Sequence, residues 1–354
     1  MSNLSTSNSD LSRFVRAFLK RLGLLALVLC GIFFISFDRS FYFSIPKDTT
    51  YHKVFWVYNR LNKGLDKQNV LFMGSSICQN GINDSLLNAL DASSNHYYNF
   101  GVTHSCNAIT YELLKEILEN RGERPAKVYL CLKSDARPTK FHAMFPVIAS
   151  STDILESAGE SNVYLFPTIL KKVAWNGYGA TQTYTMPKVI SNKELGEEYG
   201  YIPSKPVDST EVMRIFGQER KNIEAVLTHF DAAISGEDDS RGLLSRLNRK
   251  RMDFLSNSDF QDAYFEKCAA LLEMYSIPFD VIVYPNYGIT QAGKSSLTGA
   301  YYQHYYSGID YTKHRMISLQ LDELKSPTAW RDMNHLSKEG ASMFTKALLD
   351  TLGH

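Results

Sequence analysis

A chain of 354 residues has room for one large domain or two small ones, and its 44% hydrophobic content is that of a folded protein rather than a disordered one. With 38 basic and 37 acidic residues the net charge is +1, so whole-chain electrostatics gives no reason to expect a nucleic-acid partner. Cys30, Cys78, Cys106, Cys131 and Cys268 are too few and too scattered for a disulfide scaffold, and their spacing forms no metal motif.

The first element is apolar. Sixteen uncharged residues, 22–37, lie between Arg21 and Asp38 and would span roughly 24 Å as a helix. Flanking aromatics (Phe14, Phe18, Phe41, Tyr42, Phe43) extend the run toward the thickness of a bilayer core, and Lys20 is placed to snorkel. No small-x-small cleavage site follows, which predicts an uncleaved signal anchor. A lipoprotein reading of Cys30 meets Leu29 where a small residue is usual. Arg13, Arg16, Lys20 and Arg21 on the near flank favour a cytoplasmic tail over residues 1–21. The remainder is then expected outside the cytoplasm, on a single-pass anchor, where cofactor-independent chemistry is favoured.

Residues 38–68 are aromatic and mixed in charge, and read as a juxtamembrane stalk. From residue 69 the rhythm changes. The runs 69–74, 97–101 and 127–132 are apolar enough for strands, and helices fall between them at 84–91 and along the face of Ile109, Leu113 and Ile117. This alternation predicts an α/β domain over residues 69–352 whose parallel sheet is covered on both faces. Residues 136–256 break the rhythm with loops, aromatics, a helix near Thr210–Ala233, an acidic turn at 237–239 and basic residues at 246–251. They are expected to form an insertion or cap. A helix near 259–275, a strand at 279–285 and a last helix capped by Ser337 restore the pattern.

Two local patterns carry chemistry. Gly74-Ser75-Ser76 ends the first strand, where an open parallel sheet binds ligands and a helix N-terminus presents backbone N–H groups. A Ser there serves as a helix cap or as a nucleophile. Asp332-Met333-Asn334-His335 precedes the last helix; an Asp three residues before a His can fix the tautomer of a general base, or can simply form a surface turn. Cys78 offers an alternative nucleophile or a disulfide partner for Cys106, and His104 is a further candidate at the strand ends. The aromatics Tyr164, Phe166, Trp175, Tyr178, Tyr184, Tyr199 and Tyr201 suit either sugar stacking or packing of the cap. The basic residues around Arg249 suit a solvated face or an anionic glycan or lipid headgroup.

Taken together, the Ser after the first strand, Asn99-Phe100-Gly101 after the second and Asp-x-x-His before the last helix resemble the sequence blocks of the SGNH (GDSL-like) hydrolase superfamily. The resemblance implies a flavodoxin-like three-layer sheet and a triad of Ser76 as nucleophile, His335 as base and Asp332 as its orienting partner. It further implies an oxyanion hole built from the backbone N–H groups of Ser76 and Gly101. The family's third block, Gly-x-Asn-Asp, falls on Leu132-Lys133-Ser134-Asp135, so Ser134 stands where the family has its Asn donor. The chain is most similar to the membrane-anchored branch that includes proteins of alginate O-acetylation and teichoic-acid D-alanylation. That similarity implies acyl transfer or ester hydrolysis on a cell-envelope glycan through an acyl-enzyme at Ser76, fed by an acylated substrate or a membrane-bound acyl-donor protein. The alternative is a non-catalytic binding or assembly component that keeps the fold.

Overall fold

The computed structural model describes residues 6–35, 50–65, 67–103, 107–133, 145–157, 165–185, 200–235, 255–306 and 308–352. In chain order these contain α1 (Thr6–Phe34), α2 (Thr50–Asn62), β1 (Asn69–Met73), α3 (Ser76–Gly81), α4 (Asp84–Leu90), β2 (His96–Asn99), α5 (Asn107–Lys115) and β3 (Lys127–Lys133). There follow α6 (Phe145–Ile148), α7 (Ser151–Glu156), α8 (Leu165–Thr185), α9 (Ser209–Ser235), α10 (Leu255–Met274), β4 (Phe279–Tyr284), α11 (Tyr287–Gln291), α12 (Ser295–Tyr305), β5 (Met316–Ser318) and α13 (Lys338–Leu352). The chain divides into two units, Met1–Tyr42 with Ala149–Val189, and Phe43–Ile148 with Ile190–His354.

The second unit is a mixed α/β structure on a five-stranded sheet in the order β2-β1-β3-β4-β5. Every neighbouring pair is parallel. β1 and β4 are buried along their whole length, as continuous apolar strands covered on both faces must be. Phe72 stacks on Tyr129 at 5.0 Å and lies 6.1 Å from Tyr97, so three adjacent strands share one aromatic row. The helices form two groups. α13 meets α4's start through Asn83 N–H, which donates to Thr345 Oγ1 at 2.9 Å, and its Phe344 lies 5.1 Å from Tyr284 of β4. α5 meets α10 through Tyr111 and Tyr264, 5.5 Å apart. The strand order runs one way from β1 to β2 and the other way from β1 through β3, which leaves a crevice at the carboxyl ends of β1 and β3.

Three features go beyond the sequence reading. Within 38–68, α2 is not a free spacer: Val54, Trp56, Val57 and Leu61 are buried, Trp56 meets Phe100 edge-on at 5.7 Å, and Arg60 reaches the Tyr98 hydroxyl. The insertion does not form one body. Residues 149–189 group with the N-terminal helix, and the rest groups with the α/β unit. β5 was not anticipated, because three residues carry no readable period; Arg315 beside it is held by Asp280, to which it donates from N–H at 2.7 Å and from Nε at 3.1 Å.

A buried ionic knot ties the α/β unit together. Asp84 accepts from the N–H groups of Asn99 and Gly200, each at 2.7 Å, from Tyr201 at 2.9 Å and from Ser85 at 3.2 Å. Burial pushes its carboxyl above the ordinary range, while Lys53 and the N–H groups of Asn99, Gly200 and Tyr201 pull it back. Lys53 Nζ donates to the carbonyl oxygens of Asn99, at 2.8 Å, and Gly200. Any side chain at Gly200 would strike the Asn99 carbonyl, so glycine is required there by close approach.

In the first unit, 23 residues of α1, Ser12–Phe34, are long and apolar enough to cross a membrane. This stretch starts earlier than the expected 22–37 because the helix continues back through the basic flank; residues 36 and 37 lie outside the described residues.

Candidate active site

β1 delivers the chain to the crevice and Gly74 turns it. A Cβ at Gly74 would lie 2.9 Å from both the Cβ and the carbonyl oxygen of Cys131, so only glycine lets β1 turn into α3 this close to β3. Ser75 occupies the N-cap in extended conformation without a side-chain cap, and Ser76 is the first helical residue, 7% exposed. The Ser76 hydroxyl is therefore not spent as a cap. It meets His335 Nε2 at 2.8 Å.

The turn that presents His335 is locally closed. Trp330 bridges Leu336, Arg331 N–H donates to the His335 carbonyl at 2.8 Å, and Ser337 N–H donates to Ala329. Inside the turn Asp332 Oδ1 accepts from the N–H groups of Asn334 and His335, both at 2.9 Å, as a short carboxylate readily does. Both carboxyl oxygens lie 2.9 Å from His335 Nδ1. Burial alone would raise the Asp332 carboxyl, but the hydrogen bond and charge of His335, with the two backbone donors, hold it below the ordinary aspartate range. An ionised Asp332 fixes the ring proton on Nδ1 and leaves the Nε2 lone pair for the Ser76 hydroxyl.

The loop after β4 braces this turn. Asn286 caps α11 with its Oδ1, accepting from Gly288 N–H at 3.0 Å, and donates from Nδ2 to Asn334 Oδ1 at 2.8 Å. Tyr287 N–H donates to the Met333 carbonyl at 3.0 Å. Asn286 escaped the sequence reading because only its place after an apolar strand marks it.

The remaining expected residues fare differently. Gly101 lies against α3, where a Cβ would run into the Gln79 nitrogen, but its N–H donates to Asn99 Oδ1 at 2.9 Å. That donor is engaged, so the oxyanion role expected of Gly101 requires it to leave Asn99. Asn99 also donates to the carbonyls of Cys78 at 2.7 Å and Ile82 at 2.6 Å, closing the end of α3. The N–H groups that open α3, Ser76 among them, are the donors any helix start leaves without intrahelical partners. Ser134, His104, Cys106, Tyr164, Tyr199 and the basic residues at 246–251 lie outside the described residues, as do the side chains of Phe166, Tyr178 and Tyr184. Cys78 is fully buried, its thiol directed to Asn99 Oδ1 at 3.5 Å, and Cys131 is a second buried thiol raised by burial and by Cys78. Neither is placed as a nucleophile. Trp175 and Tyr201 belong to different units, and burial pushes the Tyr201 hydroxyl up to about 12.

No family model matches the chain, and no curated protein matches it.

Proposed function

We propose that the α/β unit is a flavodoxin-like, SGNH-type serine acyltransferase or esterase carried on a single N-terminal membrane anchor, with its catalytic unit outside the cytoplasm. The observation that carries this reading is the continuous relay from Ser76 Oγ through His335 Nε2 and Nδ1 to Asp332, assembled at the carboxyl end of β1 from residues 259 positions apart. Ser76 Oγ attacks an acyl carbonyl while His335 takes its proton; the tetrahedral oxyanion collapses, His335 returns the proton to the departing alcohol, and Ser76 keeps the acyl group as an ester. Water or a glycan hydroxyl, deprotonated by His335, then removes it. The α3 N–H groups, Ser76 first, face the developing oxyanion, and Ser134 stands in the sequence where the family has its Asn donor. A cell-envelope glycan and an acylated donor are the substrate class that the resemblance suggests. The membrane-embedded full-length protein, treated with a fluorophosphonate probe, is expected to be labelled at Ser76 and not after Ser76→Ala or His335→Ala; absence of labelling on the folded wild type refutes the reading.

One observation favours a second reading. Gly101 N–H is bound to Asn99, and Leu132 and Ser134 replace the third-block Gly and Asn. A fold with fewer oxyanion donors suits a binding or assembly component of envelope-glycan machinery. Removing one such donor costs on the order of 100- to 1,000-fold in rate. Unchanged glycan acylation in cells expressing Ser76→Ala would select this reading.

A further inference from the structure

Helix α8 is built inside out for water. A surface helix ordinarily buries its apolar stripe and shows its polar one. In α8 the buried positions Thr168, Lys172 and Asn176, spaced four apart on one face, are polar, while Pro167, Leu170 and Ala174 are exposed, Leu170 by 49%. The buried face is in use. Lys172 Nζ donates to the Ala149 carbonyl at 2.7 Å, and Asn176 Nδ2 donates to the carbonyls of Ile32 at 2.8 Å and Phe33 at 3.1 Å. Ser151, at the start of α7, also donates to Phe33.

The Ile32 and Phe33 carbonyls belong to the last turn of α1, where a helix runs short of intrahelical donors; that of Ile32 also accepts from Ile35 N–H at 3.3 Å. In hydrocarbon such a group left bare is strongly unfavourable, whereas water would satisfy it without help. The segment that supplies the donors therefore stands at the depth where α1 ends. Its outward face is exposed and apolar, as is the surface of α1, on which Leu24, Leu25, Leu27 and Val28 are all uncovered. Lys171, the exposed charge beside Leu170, is long enough to reach a phosphate while its methylenes stay among acyl chains.

We infer that residues 165–177 form a membrane-seated helix, whose Pro167–Leu170–Ala174 face lies in the lipid leaflet at the end of α1 and whose Lys171 meets the headgroups. This rests on the reading of α1 as a membrane anchor. The occupant is lipid rather than protein, because the segment caps the end of a helix whose own length and apolarity fit a bilayer.

Tryptophan fluorescence tests it. The chain has three tryptophans. Trp56 and Trp330 are buried in the α/β unit, and only Trp175 lies on α8. In liposomes of brominated phospholipid, the full-length protein is expected to lose a fraction of its emission that Trp175→Phe no longer shows. Leu170→Trp in the Trp175→Phe background is expected to restore that loss. Quenching of the Leu170→Trp protein by aqueous iodide instead overturns the inference, and protection from both quenchers overturns it in favour of a second copy of the chain. An alkaline carbonate wash separates the two premises: protein retained in the membrane yet unquenched refutes the seat of α8 alone, and protein released refutes the anchor.

Discussion

Asp84 and Lys53 hold the same two residues from opposite sides: Asn99 and Gly200 each give their N–H to the carboxylate and their carbonyl oxygen to the ammonium. Four segments meet there, from α2, α4, the end of β2 and the return of the insertion. Four N–H groups aimed at Asp84 demand an acceptor, so removing its charge does not relieve the site. Asp84→Asn turns an amide donor toward those N–H groups and leaves Lys53 uncompensated.

Removing one partner of a buried pair costs about 3–5 kcal/mol, and the pair together costs less than the sum. Urea unfolding of Asp84→Asn, Lys53→Met and the double variant is expected to show this non-additivity. Additive losses would mean that the two charges do not act on one another.

For the relay, Ser76→Ala and His335→Ala should each abolish turnover of an aryl ester, with little further loss when combined, because nucleophile and base serve the same step. Asp332→Asn is expected to be severe but less complete, since the imidazole survives in the wrong tautomer. Losses that multiply across the Ser76 and His335 variants would break the assignment.

Asp332 also has a pH signature. Its folded value lies below the unfolded one, about 3.9, so its contribution to stability is fully present above that value and fades as pH falls through the folded one. The stability difference between wild type and Asp332→Asn should thus be level near neutrality and shrink in acid below about pH 4. A difference that grows on acidification would reverse the sign of the shift.

Much of the α/β unit is legible because β1, β3 and β4 are short runs of apolar residues with polar punctuation, and burial on both faces erases any alternation that could confuse them. The site residues are legible only jointly: Ser76 alone reads as a cap and Asp332 with His335 as a surface turn, and only their order along the chain suggests a common crevice. Asp84, Lys53 and Asn286 were not legible, since each gains its role from partners far away in sequence. Asp84 and Gly200 are 116 residues apart, and no local pattern announces such a pairing. The division of the insertion was hidden for a different reason. Lys172 and Asn176 are polar residues at helical spacing, and nothing local shows that they bond the carbonyls of Ala149, Ile32 and Phe33.

The chain passes between its two units three times, at about residues 42, 148 and 189. A single proteolytic cut after Tyr42 therefore severs α1 but leaves 149–189 joined at both ends to the other unit, stripped of the helix whose carbonyls it caps. The product of such a cut would carry residues 149–189 without that partner, and with Leu155 and Leu170 exposed it would tend to aggregate. Isolating the α/β unit cleanly calls for two excisions, residues 1–42 and 149–189, with Ile148 rejoined to Ile190.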